Sequence, residues 1–136
     1  MSSRDLADAF AECLVTDDVD GAHDLVAPWL ADRWTVPALE RAWKAVGKGR
    51  PRAEEWDLKL VLYDYDDLRL PDGSGPPTEP FPDELTASRF RDWLRIRFFP
   101  ANADHVRDEP SFDCWVATAQ VGGDLVIGHL EFHAQA

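Results

Sequence analysis

DLADAFAECLVTDDVDGAHDLVAPWLADRWTVPALERAWKAVG, residues 5–47, is the stretch whose reading decides the fold. Leu6, Phe10, Cys13 and Leu14 recur at helical spacing while Asp5, Asp8 and Glu12 turn elsewhere, and Ser2 or Ser3 is available as an N-cap. The acidic link from Thr16 to Asp20 stops this helix. Asp20 is placed to cap a second segment, in which Ala22, Leu25, Val26, Trp29 and Leu30 share a face. Pro28 lies inside that segment and removes a backbone donor, so a kink or an early stop is expected there. Thr35 then precedes Pro37, a residue tolerated in a first helical turn, and Leu39, Ala42, Trp43 and Val46 form an apolar stripe that Gly47 closes.

After Pro51 the hydrophobic period falls from about 3.6 to 2. Trp56, Leu58, Leu60 and Leu62 alternate with Asp57, Lys59, Val61 and Tyr63, which predicts a strand that could run on to Leu70. PDGSGPPTEPFP, residues 71–82, is too rich in proline and glycine for regular structure and predicts an exposed loop. A further strand is predicted over about Arg89–Phe99, with Phe90, Leu94, Ile96 and Phe98 on one side and Arg91, Trp93, Arg95 and Arg97 on the other; Asp92 interrupts the apolar face. Phe112–Val121 and Leu125–His133 flank Gly122-Gly123, a two-residue hairpin signal. Helices over about 3–47 and strands and loops over about 53–134 make one α+β domain, residues 1–136, with helices packed on a curved, mostly antiparallel sheet of about four strands.

Composition bounds the partners. The 136 residues carry a formal charge of −12, which opposes nucleic acid and anionic membrane surfaces. The basic residues Arg41, Lys44, Lys48, Arg50 and Arg52, and those from Arg89 to Arg97, are read as local charge balance. Charged Arg4, Asp5 and Asp8 stand where a secretory peptide would need an apolar core, and no apolar run approaches the length of a membrane span. Cys13 and Cys114 are too few for a disulfide framework and suit reduced thiols. A cytoplasmic protein is expected. Aromatic residues on strands that are apolar on both faces, among them Trp93, Phe99 and Trp115, predict a homodimer.

FAECLVTDDVDGAHDLVAPWL, residues 10–30, followed by TVPALERAWKAVG, residues 35–47, resembles the helical segments of the NTF2-like, or cystatin-like cone, superfamily. The element order of the whole chain is similar to that superfamily as well. The resemblance implies a cone-shaped pocket between helices and sheet, frequent dimerisation through the outer face of the sheet, and functions ranging from isomerase and dehydratase to pure binding module. Fold alone does not choose among these.

His129, Glu131 and His133 form H-x-E-x-H on the last strand and share one face. Strand geometry sets the two histidines roughly 13 Å apart at their bases, too far to converge on one ion, so the motif is read as a solvated or dimer-contacting outer stripe rather than a metal site. Val126, Gly128, Leu130 and Phe132 are then the core side. Asp64, Asp66 and Asp67 lack the spacing, glycine and terminal glutamate of an EF-hand and are read as a solvated edge. Acid–base chemistry in an apolar pocket would need a carboxylate of raised pKa beside a Tyr or a second acid. Asp92 and Asp113 are the candidate bases, with Tyr63 and Tyr65 as candidate partners, and Cys114 with His129 is a nucleophile pair without a surrounding motif. The reading preferred is a non-catalytic NTF2-like module with no cofactor, binding a small apolar ligand or a protein partner; the alternative is a small isomerase or lyase with an Asp base. The expected pocket is lined by Phe10, Leu14, Trp29 and Trp43 from the helices and Leu60, Leu94, Ile96 and Val116 from the strands.

Overall fold

The computed structural model describes residues 1–46, 53–100 and 112–134. The helix stop at Gly47, the turn at Pro51 and the basic residues Lys48, Arg50 and Arg52 lie outside the described residues. Among the described residues the chain is α+β. Helices α1 (Ser3–Val15), α2 (Val19–His23), α3 (Pro28–Ala31) and α4 (Val36–Val46) precede strand β1 (Ala53–Val61). Helix α5 (Tyr65–Arg69) follows, and then β2 (Phe90–Pro100), β3 (Phe112–Val121) and β4 (Asp124–Ala134). The four strands form an open antiparallel sheet in sequence order.

Local chemistry explains each element. Ser2 caps α1 by accepting from the Asp5 amide while the Asp5 carboxylate accepts from the Ser2 amide, a reciprocal box that satisfies two amides of the first turn. The second helix is capped by Asp18, whose side chain accepts from Gly21, and not by Asp20. Pro28 does impose an early stop: α2 ends at His23 and the proline opens α3 at a position where its missing N–H is not needed. The strand expected to run on to Leu70 ends at Val61 instead, because residues 65–69 turn helical over Asp64.

Helix α1 lays Leu6, Ala7, Phe10, Ala11, Leu14 and Val15 on one face of the sheet, where Trp43 meets Phe98 and Phe112 edge-on. Leu94, Ile96, Phe98, Cys114, Val116, Ile127 and Leu130 are the sheet's contribution to this core. Of the eight residues expected to line a pocket, Phe10, Leu14, Leu94, Ile96 and Val116 are fully buried in that cluster, and Trp43 nearly so. None of these six borders the cavities described below. Trp29 sits at the seam between two clusters, and Leu60 is exposed on β1.

The other face of the sheet carries a second core, which corrects the reading of an open outer stripe. Leu68 from α5, with Phe81 and Leu85 from the connection that follows, packs on Trp93, Ala117 and Ala119. The proline-rich segment is therefore a packed cover as well as a loop; Pro77 and Phe81 are buried. Tyr65 helps to fasten it by donating its hydroxyl to the Leu85 carbonyl. Two irregularities exchange side chains between the cores. A register shift between Phe90 and Trp93 moves Phe90 to the outer cluster, and one between Ala117 and Thr118 leaves Gly128 as an extra residue on β4, so that Val126 also packs outward. A Cβ at Gly128 would meet Leu85 at 3.0 Å, Ala119 at 3.1 Å and Trp29 at 3.3 Å, and Trp29 donates its indole N–H to the Gly128 carbonyl. A side chain here would force these neighbours to give way by a few tenths of an ångström, which favours glycine.

Candidate functional site

The outer face of the sheet is laid out in cross-strand rows. Asp57, Arg97, Asp113 and His133 make one row; Lys59, Arg95, Trp115 and Glu131 make the next; Val61, Trp93, Ala117 and His129 make the third. Alternation along each strand puts all twelve on the same side. The cover crosses this surface from α5 to Phe90 and fits it unevenly, closing over the third row and the Glu131 end of the second and standing off Lys59, Arg95 and Trp115.

Where the cover closes, it does so on Glu131. His129 directs Nε2 to Glu131 Oε2 at 2.7 Å and His133 directs Nε2 to Oε1 at 2.9 Å. From the cover, the Thr78 amide and hydroxyl donate to Oε1 at 2.8 and 2.9 Å, and the Glu79 amide approaches Oε2 at 3.4 Å. Burial alone would raise the pKa of this carboxyl, but the donors from His129, Thr78 and His133 override it and hold the group at about 2. An ionised carboxylate only accepts, so both imidazoles carry a proton on Nε2. His129 is 2% and Glu131 7% exposed. The H-x-E-x-H motif is thus a buried clasp for the cover and not a solvated stripe. Its histidines spend the atoms that face each other on one carboxylate, and among the described residues no group of three or more His, Cys, Asp or Glu is arranged to hold a metal ion.

Where the cover stands off, it leaves an open cleft of about 880 Å³. Lys59, Val61, Arg95 and Trp115 line it from the sheet, and Asp66, Asp67 and Leu68 of α5 together with Leu70–Asp72 and Ser74–Pro77 line it from the cover. Trp115 stacks on Trp93, with ring centroids 5.5 Å apart, so it is a supported aromatic surface rather than a free side chain. Arg95 Nε and Trp93 Nε1 are buried without a hydrogen-bond partner among the described residues. Such donors are uncommon in folded proteins and cost roughly 1–3 kcal/mol each.

The other candidates are placed apart. Asp92 lies at the β2 irregularity, where its backbone N–H donates to Thr118 Oγ1, itself bonded to Ser3. It does not border the cleft. Asp113 is buried in an ion pair with Arg97, Nε to Oδ1 at 3.0 Å. Cys114 points into the helix-side core, opposite His129, so the two do not form a nucleophile pair. Tyr63 lines the cleft, whereas Tyr65 belongs to the cover's own aromatic packing with Phe81 and Phe90. Of the arginines read as charge balance, Arg97 pairs with Asp113, Arg91 donates to backbone carbonyls and Arg89 sits over the Trp29 ring at 5.3 Å. Among the described residues Arg95 has no such partner, and its Nε is buried without one.

Sequence reasoning missed Lys59, Arg95 and Trp115 as a group. The signal was the alternation itself: both cations and the tryptophan fall on the polar phase of their strands, and only the register that pairs Lys59 with Arg95 and Arg95 with Trp115 joins them. No helix among the described residues is long and apolar enough to cross a membrane. Comparison with known protein families, with curated proteins and with solved structures finds no match to this chain.

Proposed function

We propose that this chain is a non-catalytic ligand-binding module of the NTF2-like kind whose ligand sits on the outer face of the sheet, in the cleft beneath residues 70–77. One observation carries the reading. A supported aromatic surface, Trp115, is left uncovered inside an open cleft with apolar walls at Val61, Leu68 and Pro77, while the helix side of the sheet is filled by packed side chains. Helices followed by an antiparallel sheet support the kinship, and the seat differs from the helix–sheet pocket that the resemblance implies. A site that binds without reacting also fits the carboxylates: Asp92 is away from the cleft and Asp113 is bound to Arg97. The homodimer expected from the sequence is no part of this proposal, because Trp93, one of the residues that motivated it, is covered by Phe81 of the same chain. A reducing compartment is part of it, supported by two free cysteines of which one is buried.

The test is to titrate a small neutral aromatic, benzyl alcohol, while recording amide and indole NMR resonances. Shifts confined to Val61, Leu68, Arg95 and Trp115, and lost in Trp115→Ala, are the expected result. Shifts centred on Phe10, Ile96 and Val116 would return the seat to the helix side and defeat the proposal.

A further inference from the structure

The charges around the cleft restrict what it can take, on the reading that the cleft is the binding site. Lys59 and Arg95 face each other across β1 and β2 on the sheet side. Asp66 and Asp67 stand opposite them on α5, with Asp72 beyond. Asp72 is occupied, since its carboxylate accepts from the amide and the hydroxyl of Ser74. The other four have no ion pair or side-chain hydrogen bond among the described residues. Two cations and two anions therefore line the same cleft without neutralising one another. The Nε of Arg95, buried and unpartnered, adds a donor in want of an acceptor beside this space.

Each class of simple ion is opposed by half of this lining. A lone anion drawn to Lys59 and Arg95 meets Asp66, Asp67 and a chain of net charge −12. A lone cation drawn to the two aspartates meets Lys59 and Arg95. A neutral apolar molecule uses Trp115 and leaves all four charges to water. We infer that the cleft is a seat for a small zwitterion with a flat apolar body: a carboxylate on the Lys59 and Arg95 side, an ammonium on the Asp66 and Asp67 side, and the body lying on Trp115 between them. Arg95 supplies the planar fork that matches a carboxylate, and the ordered ring of Trp115 supplies dispersion contact at little entropic cost.

A fixed set of probes separates the terms. 4-(Aminomethyl)benzoate carries both charges at opposite ends of one ring; benzoate, benzylamine and benzyl alcohol carry one, the other and neither. Binding is read by the Trp115 indole resonance in about 20 mM salt, where the screening length is roughly two to three times that of cell conditions. The zwitterion is expected to bind at least about fivefold more tightly than each single-charge probe, as partly exposed charge contacts allow. Arg95→Gln should reduce it to the affinity of benzylamine, and Asp66→Asn with Asp67→Asn should reduce it to that of benzoate. Asp66 and Asp67 are exposed and Arg95 is half-buried, so the denaturation midpoint of each variant is measured against wild type to separate lost binding from lost folding. Equal affinity for the zwitterion and benzyl alcohol, or a preference that survives these substitutions, would overturn the inference and leave the cleft as a binding site. If no probe moves Trp115, both readings fall together.

Discussion

Replacing Glu131 by glutamine tests the clasp that holds the cover on the sheet. The substitution preserves shape and removes the charge. Glutamine keeps one acceptor oxygen but sets an amide against donors from His129, His133, Thr78 and Glu79, so the pattern in which every neighbour donates is broken. The carboxyl titrates at about 2 in the fold against a value of 4.5 when unperturbed. Multiplying that displacement by 1.36 kcal/mol per pH unit gives about 3.4 kcal/mol as an upper bound for the ionised over the protonated group. Because the folded pKa is depressed, this stabilisation is present in full above the unfolded pKa and is lost as pH falls through the folded one. Linkage leaves about 3 kcal/mol of it at pH 4.5 and about 1.4 kcal/mol at pH 3. Urea denaturation of wild type and Glu131→Gln across pH 7 to 3 measures the difference, and Asp5 and Asp72, also lowered in the fold, cancel between the two proteins. The gap should be about 2–3 kcal/mol at pH 7, roughly 8–12 °C in Tm for a domain of this size, and should shrink by more than half at pH 3. A gap that is flat with pH, or below about 0.5 kcal/mol at neutrality, would refute the clasp.

Gly128→Ala must push Leu85, Ala119 and Trp29 aside, and a loss of about 1–3 kcal/mol in the same denaturation assay is expected; no change would mean that the close approach is not constraining. Cys114 is fully buried, and burial together with the charges of Asp113 and Glu131 raises its thiol, whereas Cys13 is only half-buried and raised less. A thiol reagent at pH 8 should therefore label Cys13 alone in the native protein and Cys114 only in denaturant, with native labelling of both as the contrary outcome. Asp92→Asn should leave ligand affinity within about twofold and stability within about 0.5 kcal/mol, since the backbone rather than the carboxylate of Asp92 makes the contact to Thr118. A hundredfold loss of turnover on a discovered substrate would replace the binding reading with an enzymatic one.

What could be read from the sequence follows the reach of each signal. The first helix and the last hairpin are local: Ser2 lies three residues from Asp5, and the turn at Gly122, with φ of +60°, joins strands that pair at once. Patterning set the phase of the strands away from their two irregularities but not what covers them. His129, Glu131 and His133 are polar and alternate as an exposed row would, and it is the cover, with Thr78 53 residues from Glu131 and Phe81 against His129, that makes them interior. Helix α5 is too short for periodicity to register, and Phe81, ringed by prolines, looked like a loop residue although it anchors the second core. The irregularity at Gly128 shifts Val126 across the sheet by one extra residue, a change that no alternation count anticipates.

The cover occupies the 28 residues between Val61 and Phe90, and so it separates two strands that are neighbours in the sheet. That placement bears on the order of assembly. The β3–β4 hairpin closes through a two-residue turn, whereas β1 can join β2 only after a long connection has been folded back over the outer face, which raises the entropy cost of closing that contact. The strand that arrives last is commonly the one that opens first. Amide hydrogen exchange should find β1 the least protected of the four strands, with β3 and β4 exchanging only through global unfolding. Lys59 and Val61 belong to β1, so the cleft would be made and unmade with that strand, and a bound molecule would register as slowed exchange along β1 before it registered anywhere else.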